Sequence, residues 1–306
     1  PPRKGGTLLS IPCLNQYWGI SNVNLLNKFD LPSPFVSAVE NDPYTRGQSD
    51  ISVTQLIDSP LIRRLRTKHQ DDIEEDVTDR IWSLLGQAVH SILERGADSP
   101  DVEGAEERIF TTANDYVLSG QYDLIYRSYG NLVLADYKVT SAWSVAFGNP
   151  KWEQQLNVLK WMVERETELK PINSLKVIAF LRDWVKSKAG EGKYPAAQVA
   201  VVEIPIWTTE MAANYVRNRL NLHFNDIEFM QCSNEERWYS GDKWAIKKLG
   251  RKSAVKVFDS EDKAQAELEE FYPDPDVFSL EHRTGRYRRC EEYCDVSKWC
   301  RIWNPM

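Results

Sequence analysis

The sequence predicts a mixed α/β (α+β) protein in which a central mixed sheet is flanked by helices. Apolar residues recur at helical spacing over about 76 to 94 and again over about 151 to 168. Between these helices, alternating apolar and polar residues predict strands at about 107 to 113, 116 to 126 and 132 to 139. The order of one helix, three strands and a second helix indicates the fold class.

The remaining elements follow from the same two periodicities. A helix is expected to open at Ser52, whose hydroxyl is a suitable N-cap. After the second long helix we expect strands at about 175 to 181 and 198 to 206, then a helix at about 209 to 230. Residues 1 to about 50 are rich in Pro, Asn and Gly without a sustained period, which predicts an irregular arm.

Length and charge bound the organisation of the chain. Its 306 residues are 42% hydrophobic, enough to bury a large core, and we divide them into an arm (1–50), a core (51–230) and a C-terminal part (231–306). The 38 Lys and Arg against 45 Asp and Glu argue against nonspecific coating of nucleic acid. No signal-like start and no apolar run of about 18 residues appear, so we expect a cytoplasmic protein without a membrane span.

Asp123 and Asp136 lie on neighbouring predicted strands, and Lys138 follows the second acid at the alternate position. Side chains alternate along a strand, so Asp136 and Lys138 share a face about 6 to 7 Å apart. Carboxylates can hold divalent ions that lower the pKa of a bound water, and an ammonium can orient the attacking water. This pattern indicates a metal-dependent phosphodiesterase site, with a solvent-facing hairpin as the alternative.

The two long helices carry further candidates. His90 lies one turn after Gly86, where a phosphate or an ion can approach the backbone closely while the imidazole supplies a ligand or a proton relay. Gln155 lies one turn into the second helix, from where its amide can reach the site or a phosphate. A core histidine and a surface glutamine are the alternatives.

Two groups of basic residues are candidate DNA contacts. The first follows the Ser52 helix and comprises Arg63, Arg64, Arg66 and Lys68. The second lies between Arg237 and Lys256, where Trp238 and Trp244 are interleaved, a combination that suits an anionic backbone and flat bases. The tip of this second segment carries Lys247, Lys248, Arg251 and Lys252. Solvated charged faces are the alternative for both groups.

Four of the five cysteines have the spacing of metal ligands, and Cys13 stands apart. The four are Cys232, Cys290, Cys294 and Cys300. In a cytoplasmic protein such spacing indicates a metal rather than disulfides. Thiolates suit either Zn2+ or a cubane [4Fe-4S] cluster, and His282 could replace Cys232 in a zinc site of three thiolates and one imidazole.

In order along the chain, these motifs resemble the RecB-type nucleases of the PD-(D/E)xK superfamily. The arm and the cysteine region are similar to those of phage-encoded, exonuclease-like members, and the match covers most of the chain from about Pro32 onward. The motifs that carry it are Gly86-x3-His90, Gly120-x2-Asp123, Asp136-x-Lys138 and Gln155. The resemblance implies a restriction-endonuclease-like core followed by a small C-terminal cysteine module.

The resemblance also implies roles for the site residues. One or two Mg2+ or Mn2+ ions would be held by His90, Asp123, Asp136 and the peptide carbonyl of Tyr137, and Lys138 would assist the water. Leu159 departs from the tyrosine that the family often has four residues after the glutamine. The three-residue spacing between the second and third of the four cysteines also departs from the two-residue spacing usual in iron-sulfur relatives. Zinc therefore stays open beside the favoured cluster.

The resemblance implies metal-dependent DNA hydrolysis. We expect an exonuclease that acts in phage recombination, repair or DNA processing. It would act on single- or double-stranded ends in the host cytoplasm, with a single-strand binding or annealing protein as a partner. A non-catalytic DNA-end binding or scaffold component is the alternative hypothesis, and an endonuclease is a third. Signature motifs of P-loop ATPases, serine hydrolases and zinc proteases do not occur in the sequence.

Overall fold

A six-stranded mixed β-sheet flanked by helices forms the main body of the protein. The structure is a computed structural model and describes residues 24–42, 47–225 and 230–304. The predicted mixed α/β class with a central mixed sheet is confirmed. No helix within these ranges is long and apolar enough to cross a membrane.

The regular elements of the described residues are numbered in chain order. The helices are α1 (Ser33–Glu40), α2 (Val53–Leu56), α3 (Pro60–Lys68), α4 (Ile81–Leu93), α5 (Ala142–Phe147), α6 (Pro150–Glu166), α7 (Thr209–Phe224) and α8 (Glu261–Phe271). The strands are β1 (Asn24–Leu26), β2 (Ile51–Ser52), β3 (Glu74–Asp76), β4 (Val102–Ala113), β5 (Tyr116–Ser128), β6 (Asn131–Thr140), β7 (Ile172–Leu181), β8 (Val199–Ile204), β9 (Lys243–Lys248), β10 (Lys256–Phe258) and β11 (Phe278–Arg283).

Strand β5 lies at the centre of the large sheet. It pairs antiparallel with β4 and β6 and parallel with β2, while β6 runs parallel to β7 and β7 antiparallel to β8. Positive φ angles at Asn114, Asp115, Tyr129 and Gly130 shape the two tight turns that join β4, β5 and β6. Such turns match the right-handed twist of antiparallel strands. The predicted meander is confirmed, and each of its strands extends beyond the predicted bounds.

Both long predicted helices are present. α4 begins at Ile81 rather than near Asp76, because the Asp76 carboxylate caps a single 3-10 turn (Val77–Arg80) that precedes it. α6 begins at its predicted position and buries Leu156 and Met162 in the core against the sheet. The helical spacing of apolar residues therefore predicted both helices correctly.

Several expectations differ from the structure. The helix capped by Ser52 ends at Leu56, because Ser59 and Pro60 cap and start α3. The arm expected to be irregular contains α1 and also β1, which pairs in parallel with β3. Residues 1–23 and 43–46, including Cys13, lie outside the described residues. α7 ends earlier than predicted, and α8 was not predicted, because its single buried residue leaves the apolar periodicity weak.

The C-terminal part holds a second, three-stranded antiparallel sheet in the order β10, β9, β11. β9 and β10 form the basic hairpin that the sequence predicts, and β11 pairs with the other edge of β9. α8 connects β10 to β11. A short π-helical segment (Arg289–Tyr293) follows this sheet and leads into the cysteine-rich end of the chain.

Asp58, between α2 and α3, joins the C-terminal part to the main body. Its carboxylate accepts two hydrogen bonds from the Arg289 guanidinium, both at 2.8 Å, and one from Lys151 Nζ at 2.8 Å. Burial acts to raise the pKa of Asp58, but the hydrogen bonds and charges of Arg289 and Lys151 hold it well below its usual range. This ion pair is one of the polar contacts that join the two parts.

His223 is a buried residue of α7, with 3% of its surface exposed. Its Nε2 donates to the carbonyl oxygen of Leu56 at 3.0 Å, and its Nδ1 is buried without a hydrogen-bond partner among the described residues. Burial lowers the pKa of His223 from 6.5 to about 4. The folded protein therefore holds this imidazole in its neutral form.

We expect the free energy of unfolding to fall as the pH drops from about 6.5 to about 4, because the unfolded chain then binds a proton that folded His223 does not. His223 lowers the free energy of unfolding by nothing above about pH 6.5 and by about 3 kcal/mol below about pH 4. Urea unfolding of the wild type and of His223→Gln, whose amide retains a donor for Leu56, measures it. Parallel pH profiles for the two proteins would contradict this account.

Candidate metal centre

Two adjacent strands place Asp123 and Asp136 side by side. Leu124 pairs with Ala135 across β5 and β6, so the next positions in that antiparallel register, Asp123 and Asp136, stand opposite each other. Both are buried, with 8% and 2% of their surfaces exposed. The backbone N–H of Tyr137 donates to Oδ2 of Asp123 at 2.6 Å. The structure thus brings together the two acids that the sequence singled out.

Burial opposes the ionisation of Asp123. Burial raises the pKa of Asp123 to about 7, and the charge of Asp136 acts in the same direction. Lys138, His90 and the Tyr137 N–H lower this pKa but do not outweigh burial. A divalent cation bound at this position would favour the ionised form of both carboxylates.

His90 reaches these acids from α4. Its Nδ1 lies 2.9 Å from Oε1 of Glu106 and 3.7 Å from Oδ1 of Asp123, and its Nε2 lies 3.3 Å from the carbonyl oxygen of Tyr137. The hydrogen bond to Glu106 raises the pKa of His90, although burial opposes it. Both ring nitrogens therefore face oxygen atoms. Without a metal, only the protonated imidazole can donate to both.

Glu106 is a site residue that the sequence analysis missed. It lies on β4 with φ at 51°, a conformation rare for residues other than glycine and characteristic of functional sites. Ligand atoms of His90, Glu106 and Asp123 lie within 4.8 Å of one another, and no other group of this kind occurs among the described residues. The predicted strand began one residue too late to include Glu106, and no motif contains it.

Lys138 and Gln155 gather around Asp136. Lys138 Nζ donates to Oδ1 of Asp136 at 2.8 Å, and Gln155 Nε2 donates to the same oxygen at 2.9 Å. Burial acts to lower the pKa of Lys138, but the charges of Asp136 and Asp123 raise it above the ordinary value. The ammonium is thus held as a cation between two acids, at the place where the sequence predicted it.

The donor set fits a hard divalent cation. Carboxylate oxygens suit Mg2+ and Mn2+, an imidazole nitrogen is a ligand for the transition ion, and the Tyr137 carbonyl oxygen faces the same imidazole. The arrangement differs from the expected one in a single respect. Asp136 lies outside the group with ligand atoms within 4.8 Å of one another, where Glu106 appears instead. Asp136 is bonded to Lys138 and Gln155.

The two motif glycines have different surroundings. An added Cβ at Gly86 would meet nothing within 4 Å, so the helix next to His90 is open at that point. An added Cβ at Gly120 would lie 2.6 Å from Cδ2 of Leu159, too close for any real contact. Gly120 is therefore required for the close packing of α6 on β5.

The basic residues of α3 make contacts inside the protein. Arg63 and Arg64 donate to backbone carbonyl oxygens at the end of α7, and Arg66 donates to both carboxylate oxygens of Asp295, at 2.8 and 3.1 Å. These contacts attach α3 to neighbouring segments, so the geometry gives no support to their predicted role in binding phosphates.

The predicted tip of the basic hairpin has contacts of its own. Lys247 Nζ donates to the carbonyl oxygen of Lys252 at 2.8 Å, and Arg251 donates to the Ser253 hydroxyl at 3.0 Å. Lys248 Nζ lies over the ring of Phe278, 5.8 Å from its centroid. A role of these residues in holding DNA stays a prediction.

The four cysteines predicted to bind a metal border one small pocket. It is lined by Cys232, Cys290, Cys294 and Cys300 together with apolar side chains of α3. All four are free thiols, and Ser59 Oγ lies 3.0 Å from Cys232 Sγ. Burial raises the pKa of Cys232 to about 11 and also raises the pKa of Cys294. No three of these sulfur atoms come within 4.8 Å of one another in the described chain.

His282 does not belong to that pocket. Its Nε2 lies 3.2 Å from Oδ2 of Asp242, and its ring stacks on Trp244 with the centroids 5.1 Å apart. Both contacts hold it on the three-stranded sheet, where it pairs across β9 and β11. The alternative in which His282 replaces Cys232 as a zinc ligand therefore finds no support in this geometry.

Comparison with known proteins adds little to the site. No protein-family model and no curated protein matches the chain. Among solved structures, the chain is similar to the crystal structure of SSO0001, with a TM-score of 0.43 and 15% sequence identity over 67% of this chain and 85% of that one. Likeness at this level carries no information on activity.

Proposed function

We propose that the protein is a divalent-metal-dependent DNA nuclease with a PD-(D/E)xK core, acting as an exonuclease in DNA recombination, repair or processing. One observation supports this proposal most strongly. A lysine held as a cation by Asp136 lies beside His90, Glu106 and Asp123, a half-buried to buried group whose ligand atoms converge. Phosphodiester hydrolysis needs both parts, because an anionic centre must be attacked by a nucleophile.

The roles of the residues follow from their contacts. His90, Glu106 and Asp123 would hold one Mg2+ or Mn2+ ion, which supplies Lewis acidity and lowers the pKa of a bound water. Lys138 would orient the attacking water or stabilise charge that develops on the phosphate. Asp136 positions Lys138, and Gln155 fixes Asp136 by donating to the same oxygen. A second ion would use Asp136 and require Lys138 to move off it.

The alternative is a DNA-end binding or scaffold component without catalysis. The buried acids count against it, because DNA is an anion and two buried carboxylates would repel it unless they held a metal. An endonuclease is separated from an exonuclease by its substrate, since only an endonuclease cuts a covalently closed circle. A single-strand binding or annealing protein would be a fitting partner, and the compartment proposed is the cytoplasm, that of the host if the chain is phage-encoded.

Lys138→Ala should lower the cleavage of linear DNA at least about 100-fold, because it removes the ammonium held beside the two acids. The rate is measured on end-labelled linear DNA with Mg2+ or Mn2+, beside covalently closed circles and EDTA. Lys176→Ala is the matched control, since Lys176 lies on the neighbouring strand β7 and pairs with Glu203 at 2.9 Å. Equal rates for Lys138→Ala and the wild type would exclude this site as the catalytic one.

Glu106→Gln should weaken the binding of Mn2+ at least about tenfold, because it removes one charged oxygen ligand from the group formed with His90 and Asp123. Titration calorimetry measures the affinity directly and does not depend on catalysis. Glu103→Gln is the control, because Glu103 pairs with Arg127 at the surface of the same pair of strands. Unchanged affinity in Glu106→Gln would show that the ion is held without this carboxylate.

For the cysteine pocket we propose a [4Fe-4S] cluster, with Zn2+ as the alternative. The shared pocket supports a metal group, because all four cysteines line it. Thiolates suit both a cubane cluster and zinc.

Anaerobically purified protein should be brown and contain iron with acid-labile sulfide, and Cys294→Ser should lose most of both, because one of four thiolate ligands is gone. Iron, zinc and sulfide analysis measures this, with Cys13→Ser as the control that keeps the four proposed ligands. A colourless wild-type protein with one zinc would establish the alternative. Loss of iron in Cys13→Ser alone would contradict the choice of ligands.

A further inference from the structure

An exposed pair of aromatic rings lies just beyond the strand that carries Lys138. Trp143 and Phe147, one turn apart on α5, stack with centroids 5.6 Å apart and planes 16° apart. They are 49% and 75% exposed, although large apolar rings are usually withdrawn from water. α5 follows β6 directly, so at most about 18 Å of chain separates Lys138 from Trp143.

The aromatic pair is held firmly at its base. Asp183 accepts a hydrogen bond from the backbone N–H of Ala142 at 2.7 Å, and the Ser141 hydroxyl caps the helix. The Trp143 ring also meets Tyr194 edge-on, with the centroids 5.6 Å apart. These contacts hold the pair in one position. Less conformational entropy of the two side chains is then lost when a ligand binds.

A third exposed aromatic ring is connected to the end of β6 through Arg182. Arg182, whose backbone N–H donates to the Thr140 carbonyl oxygen at 3.0 Å, lies over the ring of Trp82 with 4.1 Å between its guanidinium and the ring centroid. Trp82 is 53% exposed. It stands in the first turn of α4, the helix that also presents His90.

The segment that anchors α5 is also basic. After β7 it runs from Arg182 to Gln198 and carries Lys186 and Lys188 in one exposed 3-10 turn. Both lysine side chains are exposed, and the segment contacts α5 through Asp183 and Tyr194. These lysines were not among the residues predicted to contact DNA.

We propose that Trp143 and Phe147, together with Trp82 and Arg182, bind the unpaired bases of single-stranded DNA and lead its end to the metal centre. Every base has a flat face that stacks on an exposed ring, and Lys186 and Lys188 suit the phosphates between bases. Bases paired inside a duplex are stacked on each other and cannot reach these rings. The inference rests on the proposed nuclease function and assigns single-stranded ends as its substrate class.

The test measures binding without cleavage. A fluorescent single-stranded oligonucleotide and a blunt duplex of two annealed strands of the same length are titrated in EDTA with the wild type, Phe147→Ala and Phe147→Trp. Phe147→Ala should weaken single-strand binding at least about fivefold and change duplex binding less than about twofold, since the interior bases of a duplex already stack on each other. Phe147→Trp should retain the affinity, because it keeps a platform.

Tyr129→Ala is the matched control, because Tyr129 is a fully exposed ring at the opposite end of β6. Unchanged single-strand affinity in Phe147→Ala, or an equal loss on the duplex, would overturn the proposal. Phe147 is largely exposed and is not a core residue, so we expect the variant to fold. Circular dichroism checks this. Single-strand binding that depends on Phe147 in a protein that cleaves no DNA would sink the nuclease proposal while leaving this surface in place.

Discussion

The burial of two carboxylates side by side is the constraint on which the rest of the site depends. Asp123 and Asp136 face each other across β5 and β6 with almost no exposure to water. Placing two such groups in a protein interior costs several kcal/mol unless positive charge and hydrogen bonds compensate. Lys138, His90, Gln155 and the Tyr137 N–H each offer one of these to the pair. This arrangement supports the divalent ion that we propose at the centre.

The compensating groups come from elements far apart in the chain. His90 is supplied by α4, Lys138 by β6 itself and Gln155 by α6. Glu106 adds a third carboxylate from β4, which lies 2.9 Å from His90 Nδ1 and accepts a hydrogen bond from Gln121. An additional carboxylate beside Asp123 would be a further ligand for the divalent ion that we propose there.

The cysteine pocket is connected to this centre through Asp58. Arg289, the neighbour of Cys290, donates to Asp58, and Asp58 also accepts from Lys151 in the first turn of α6. α6 in turn places Gln155 on Asp136. Loss of Arg289 would leave the half-buried carboxylate of Asp58 with fewer partners for its charge. Order in the cysteine region and the position of α6 are therefore linked by one carboxylate.

Much of the fold was predictable because it depends on local periodicity. The meander and both long helices follow from alternation every two residues and from spacing near 3.6 residues. The pairing of Asp136 with Lys138 follows from the same alternation. Glu106 was missed because its left-handed backbone has no signature in the sequence. The Asp58 pair with Arg289 was beyond prediction, since the partners are 231 residues apart.

Gly120 shows how one motif position serves both packing and chemistry. The open space at its Cα admits Leu159 of α6, which a Cβ there would displace. Gln155 lies one turn before Leu159 on the same helix, so the depth at which Leu159 packs also sets the reach of the Gln155 amide to Asp136. Leu159 is 1% exposed and belongs to the core. Leu159 therefore serves packing at the position where the family often has a tyrosine.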